Sequence, residues 1–160
     1  MNVKQKYDTW CIPAALENVF KHFGNEITQD SLVKILFSEY YSKYEPYSVS
    51  PFFGFKEADP LLREKFSEYH FEFRQRGSGY ESPDDVVRYL KGRGTGAPTI
   101  ISTIARNATG QEIGAHMKIV AFDKNRFSLY DVGTGMEEIA SETDLKSQIK
   151  GDLVTFALWR

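Results

Sequence analysis

The stretch QKYDTWCIPAALENVF, Gln5 to Phe20, holds the only cysteine of the chain and runs straight into a helix-forming pattern. Ala15, Val19 and Phe23 recur four apart with Leu16 and Phe20 beside them, and Gly24 follows, so the spacing predicts a helix from about Cys11 to Phe23. Pro13 is tolerated only in a first turn, and Asp8 and Thr9 are the candidate caps. Cys11 therefore falls at the helix start, where exposed amides and the helix dipole favour a thiolate. A lone cysteine is more often a buried, inert packing residue. The rest of the chain has to decide between the two.

Outward from this helix, the first half stays helical. A second helix is expected after Thr28, with Leu32, Ile35, Leu36 and Tyr40 on its apolar face. ADPLLREKFSEY, Ala58 to Tyr69, predicts a third, with Asp59 as cap and Pro60 at its first position. The second half changes period. HFEFRQR alternates as a strand, GSGYE turns the chain, and SPDDVVRYLKGRG has the serine, proline and third-position acid of a helix start. APTIISTIA reads as a buried strand, and AHMKIVAFDKNRFSLYDV as two strands joined by a short polar turn. SETDLKSQIKG is a further capped helix, and DLVTFALW a closing strand. Helices first and an antiparallel-rich sheet second indicate an α+β fold. We expect one domain over residues 1–160, with a helical half at about 1–69 and a sheet half at about 70–160.

Composition narrows the chemistry. Hydrophobic residues make up 41% and charged residues 26%, ordinary for a soluble globular protein. Twenty basic against 22 acidic residues give a net charge of -2, which offers no footprint for nucleic acid or an anionic membrane. One cysteine cannot form an internal disulfide, and neither a signal peptide nor an apolar run of spanning length is present, so the expected location is cytoplasmic. Cys11, His22, His70 and His116 show no close ligand pair, so neither a metal nor a cofactor is expected. KGRGTGAP has three glycines but precedes a strand and lacks a Lys-Ser/Thr pair, so it reads as a flexible loop rather than a phosphate cradle.

A thiol at a helix start needs an imidazole delivered from elsewhere. His22 lies about three turns, or about 16 Å, along the same helix and suits its C-terminal carbonyls. His70, among Tyr69, Phe71 and Phe73, reads as a strand or edge residue. His116 carries a geometric argument. If the hairpin turns on Lys124 and Asn125, Asp123 faces Arg126, and Asp131 shares a face with His116 at a diagonal of about 7–8 Å. A three-residue turn would instead throw Asp131 to the opposite face. The same register sets Lys118 directly across from Asp131, so a plain ion pair is the rival explanation. Gln5, six residues before Cys11, can return beside the thiol and donate to a developing oxyanion together with the Cys11 N–H.

QKYDTWCIPAALENVF, AHMKIVAFD and FSLYDVGTG, taken in order, resemble papain-like cysteine peptidases, and most closely the family that includes bacteriocin-leader-processing peptidases. That resemblance covers nearly the whole chain. It implies a papain-like fold, with Gln5 as oxyanion donor, Cys11 as nucleophile, His116 as base and then acid, and Asp131 as orienter. The chain departs from the family where Ile12 and Pro13 follow the cysteine in place of a common glycine, and where Val132 follows the acid in place of a common proline. The implied partner is a peptide or protein substrate.

Other functions stay open at this point. Transglutaminases, deamidases and thiol acyltransferases use the same residue order, although the 105 positions from Cys11 to His116 are long for a compact transglutaminase core. A peptide-binding protein with an unused quartet is the alternative from another class. Eight aromatics lie from Phe37 to Phe55, among them Tyr40, Tyr41, Tyr44, Tyr47, Phe52 and Phe53. Most are expected to pack between helices, with SVSPFFGF the part nearest a substrate. The nucleophile stands ten residues after the first methionine, with no room for an inhibitory propeptide, which predicts restraint through narrow substrate choice.

Overall fold

The computed structural model describes residues 1–37 and 54–160. Five helices and seven strands form among the described residues, in the order α1 (Cys11–His22), α2 (Gln29–Leu36), α3 (Phe55–Lys65), β1 (His70–Arg76), β2 (Gly79–Tyr80), α4 (Pro83–Gly92), β3 (Thr99–Arg106), β4 (Glu112–Asp123), β5 (Arg126–Asp131), β6 (Glu137–Ala140), α5 (Glu142–Gln148) and β7 (Thr155–Trp159). The strands make one sheet of order β2-β1-β7-β3-β4-β5-β6. The architecture is α+β. The chain divides into two compact units, one of residues 1–73, 132–135 and 157–160, the other of residues 74–131 and 136–156.

In the first unit α1 begins at Cys11 as its spacing predicts, but neither Asp8 nor Thr9 caps it. The N-cap is Trp10, with no side-chain cap bond. Its indole is 1% exposed and meets the Tyr7 ring edge-on at 4.7 Å, so packing fixes the helix entry where a polar cap was expected. Thr28 does cap α2, accepting from Ser31 N at 3.2 Å. The third helix corrects the sequence reading. It starts at Phe55, because the Glu57 carboxylate reaches back to the Gly54 N–H at 2.8 Å and supplies the start signal assigned to Asp59. Pro60 consequently lies inside α3, and Asp59 pairs with Arg63 one turn on at 2.9 Å. Phe20 of α1 meets the Phe66 ring at a tilt, 4.7 Å away, and the Tyr69 ring edge-on at 5.2 Å. Phe37 is buried as expected, and Phe55, the end of the stretch expected nearest a substrate, is buried too, while the other aromatics between them, Tyr40 and most of SVSPFFGF included, lie outside the described residues.

In the second unit α4 starts at Ser82 with Asp85 accepting from the Glu81 and Ser82 amides, at 2.8 and 3.1 Å. α5 is capped by the Ser141 hydroxyl, which accepts from Asp144 N at 3.1 Å. The loop after α4 carries Gly94 and Gly96 at positive φ and leads directly into β3, as the glycine spacing suggested. β6 was not foreseen. Its EEIA sequence leaves three of four residues exposed, so it has no alternating core signal of its own. β7 begins later than its apolar run, because Leu153 takes φ 55° and closes a turn onto Lys150 O at 3.0 Å.

The face that matters for function follows from register. β4 and β5 pair with Asp123 opposite Arg126, Val120 opposite Leu129, and Lys118 opposite Asp131. β6 adds Ala140 opposite Phe127 and Glu138 opposite Leu129. On this one face Val120, Phe127, Leu129 and Ala140 join Val86 and Leu90 of α4 and Leu145 of α5 in a dry cluster, where each fully buried aliphatic side chain contributes about 1.5–3 kcal/mol. The same face becomes polar towards the end of β5, at Lys118, His116 and Asp131.

Candidate active site

Cys11 is the first residue of α1 and is partly exposed. The local backbone leaves it a specific surrounding. Trp10 N donates to Tyr7 O at 2.9 Å and Ala14 N to Trp10 O at 3.0 Å, while Pro13 has no N–H to give. Among the described residues, the amides of Cys11 and Ile12 are the open donors of the first turn.

The segment before the helix is held by two buried amide side chains that the sequence reading passed over. Asn18, 3% exposed, accepts from Asn2 N at 3.2 Å and Val3 N at 3.0 Å, and donates to Val3 O at 2.8 Å and Ala14 O at 2.9 Å. Gln29, 2% exposed, donates to Lys4 O and accepts from Lys6 N, both at 3.0 Å. A signal existed. Asn18 is seven residues after Cys11 on the stripe of Ala14 and Ala15, and a polar side chain on an apolar stripe must find partners.

Gln5 closes this segment. Its backbone N–H donates to Val132 O at 2.8 Å, and its side-chain amide donates to Tyr7 O at 3.0 Å and Asp8 O at 3.1 Å. The amide that the resemblance assigns to an oxyanion thus spends both hydrogens on the loop leading to Cys11. It shapes that loop, and reaching an oxyanion requires it to release one carbonyl.

In the second unit the hairpin turns on Lys124 and Asn125, at φ 50° and 61°, the left-handed pair of a two-residue type I′ turn. The even register puts Asp131 on the His116 face, and His116 Nε2 lies 2.7 Å from Asp131 Oδ1. Both side chains are about one fifth exposed, at 23% and 21%. With Nε2–H given to the carboxylate, the neutral ring carries its lone pair on Nδ1. The His116 carbonyl is also held, by the hydroxyl of the buried Thr103 across β3 at 2.7 Å. Lys118 does not make the rival ion pair. Its ammonium goes to Gln148 Oε1 at 2.8 Å and Glu138 Oε1 at 3.3 Å. Behind Asp131, burial and the nearby Glu137 and Asp131 charges raise the pKa of Tyr130 above that of an ordinary phenol.

The remaining histidines take the places expected of them. His22 ends α1 beside Phe23, and His70 stacks on Trp159 at 5.7 Å. No group of three or more His, Cys, Asp or Glu among the described residues is arranged to hold a metal ion. No helix among them is long and apolar enough to cross a membrane.

Compared with known structures, the chain matches the peptidase domain of Streptococcus ComA, a bifunctional ABC transporter involved in a quorum-sensing pathway. The match has a TM-score of 0.60 at 17% identity and covers 98% of this chain and 96% of that domain. The chain shares the fold of that peptidase domain. No family model matches the sequence, and no curated protein does. At that identity the likeness speaks for the fold alone.

Proposed function

We propose that the chain is a thiol-dependent hydrolase that cleaves peptide or related amide bonds through an acyl-enzyme, with a narrow choice of substrate. The observation that carries this reading is the 2.7 Å hydrogen bond between His116 Nε2 and Asp131, which fixes the base's tautomer on a papain-like fold. Cys11 gives its proton to His116 Nδ1 and its sulfur attacks the substrate carbonyl. The oxyanion accepts from the Cys11 N–H, joined by the Gln5 amide as it gives up a loop carbonyl. His116 then returns the proton to the leaving amine, and a thioester remains. Water, losing a proton to His116, hydrolyses the thioester and restores the thiol.

The test is a peptide library incubated with the native chain and with Cys11→Ala, read by mass spectrometry. Scission with the native chain alone supports the reading. A gain of about one dalton, or an amine adduct without scission, would move it to deamidation or acyl transfer. Equal products from both chains would remove it.

A further inference from the structure

We propose that Glu138 and Gln148 are positioning residues for the candidate dyad: by holding the Lys118 ammonium, they keep it off the Asp131 carboxylate that meets His116. The inference rests on the hydrolase reading for its functional meaning, but on the second unit alone for its geometry. Lys118 is two residues beyond His116 on β4, on the same face, and directly across from Asp131. Opposite charges at directly opposed positions of an antiparallel pair attract. Yet the ammonium is drawn along the face, to Gln148 Oε1 at 2.8 Å and Glu138 Oε1 at 3.3 Å. Gln148 Nε2 donates to the same Glu138 oxygen at 3.1 Å and closes a triangle. That third bond fixes which end of the Gln148 amide meets the lysine.

The lysines of α5 and its end are paired elsewhere. From α5 and its end, Lys146 pairs with Asp84 and, at 3.6 Å, with Glu142, while Lys150 pairs with Glu112. Lys118 is thus the cation of this face that stands across from Asp131, and its side chain is only 19% exposed, so water screens it incompletely. Released from the triangle, its nearest cross-strand carboxylate is Asp131. A carboxylate shared with an ammonium supports an imidazolium less and competes with the His116 hydrogen bond.

The experiment follows the His116 imidazole by NMR across pH in the full chain. It compares Gln148→Met and Glu138→Gln, each alone and with Lys118→Met. Gln148→Met should lower the His116 titration midpoint by about half a unit or more, roughly a threefold loss of proton affinity, and Lys118→Met should cancel that shift. Glu138→Gln, at a half-exposed position that tolerates the change, should also lower the midpoint. The part of its shift cancelled by Lys118→Met measures the competition. A midpoint unmoved by either single variant, or shifts that persist undiminished without Lys118, overturns the proposal. The titration needs no substrate. Absent cleavage with the shift intact would count against the hydrolase reading alone, and cleavage with a flat titration against this inference alone.

Discussion

Asp131 holds His116 through Nε2, at 2.7 Å, across a hairpin whose register is set seven residues from the aspartate by Lys124. A partly exposed pair of this kind contributes about 1 kcal/mol or less to stability. Its larger consequence is chemical, because it selects the tautomer and orients the ring, which in the proposed hydrolase would exchange a proton with the thiol.

Asp131→Asn should therefore separate chemistry from folding. The unfolding free energy should change by no more than about 1 kcal/mol. Iodoacetamide modification of Cys11 at about pH 6.5, well below the ordinary thiol pKa of about 8.5, should slow by about tenfold or more, as it should in His116→Gln. Modification that proceeds equally in all three chains, and quickens only near pH 8.5, would show that the dyad does not serve the thiol.

The start of α4 gives a pH-dependent contribution whose sign can be worked out. Amides of Glu81 and Ser82 hold the Asp85 pKa below that of a free aspartate, with Arg88 adding a smaller attraction. Between the folded and unfolded pKa values the unfolded chain binds more protons, so this stabilisation is full above about pH 4 and fades as pH falls through the folded value. Asp85→Ala should be less stable than the native chain at pH 7, and the gap between their urea midpoints should close on acidification. A gap that widens towards low pH would contradict the assignment.

The buried amide of Asn18 should matter more than its surface counterparts. Asn18→Leu removes partners from the amides of Asn2 and Val3 and the carbonyls of Val3 and Ala14, at a cost of about 2–3 kcal/mol. Hydrogen exchange at the Val3 amide should quicken in the variant, while Phe127 and Leu129 amides of β5 should stay protected relative to global unfolding. Unchanged protection at Val3 would show that the segment is held by something else.

How much of this was legible in the sequence depended on whether a local rule spoke. The helices after Thr28 and Ser141 start where a hydroxyl accepts from the amide three residues on, and α4 starts at Ser82 where the Asp85 carboxylate reaches back to the Glu81 and Ser82 amides; all three form. The hairpin register followed from period two and a two-residue turn, and so placed His116 with Asp131. α3 went astray because Asp59-Pro60 imitates a helix start, while the working signal, a glycine with Glu57 three residues on, lacks a capping side chain. β6 was missed because an exposed edge strand carries no alternation. The hold of Asn18 and Gln29 on residues 2–6, and the diversion of Lys118, depend on contacts between distant positions that no local period records.

The hairpin turn itself offers the last test. Lys124 and Asn125 both take left-handed φ, which costs an L residue such as lysine about 1–2 kcal/mol and asparagine less. Asn-Gly is the sequence this turn type prefers. Converting the pair with Lys124→Asn and Asn125→Gly should raise stability by about 1 kcal/mol, since both changes relieve the same backbone strain. The register should stay as it is, because Val120, Phe127 and Leu129 are anchored in the core and a one-residue slip would expose them. Thermal unfolding reads the gain, and the His116 imidazole titration reads the register. A stabilised hairpin with an unchanged titration is the expected pair of results. If stabilising the two-residue turn moved the His116 midpoint, the native hairpin would have to use a different register, and the placement of Asp131 beside His116 would fall with it.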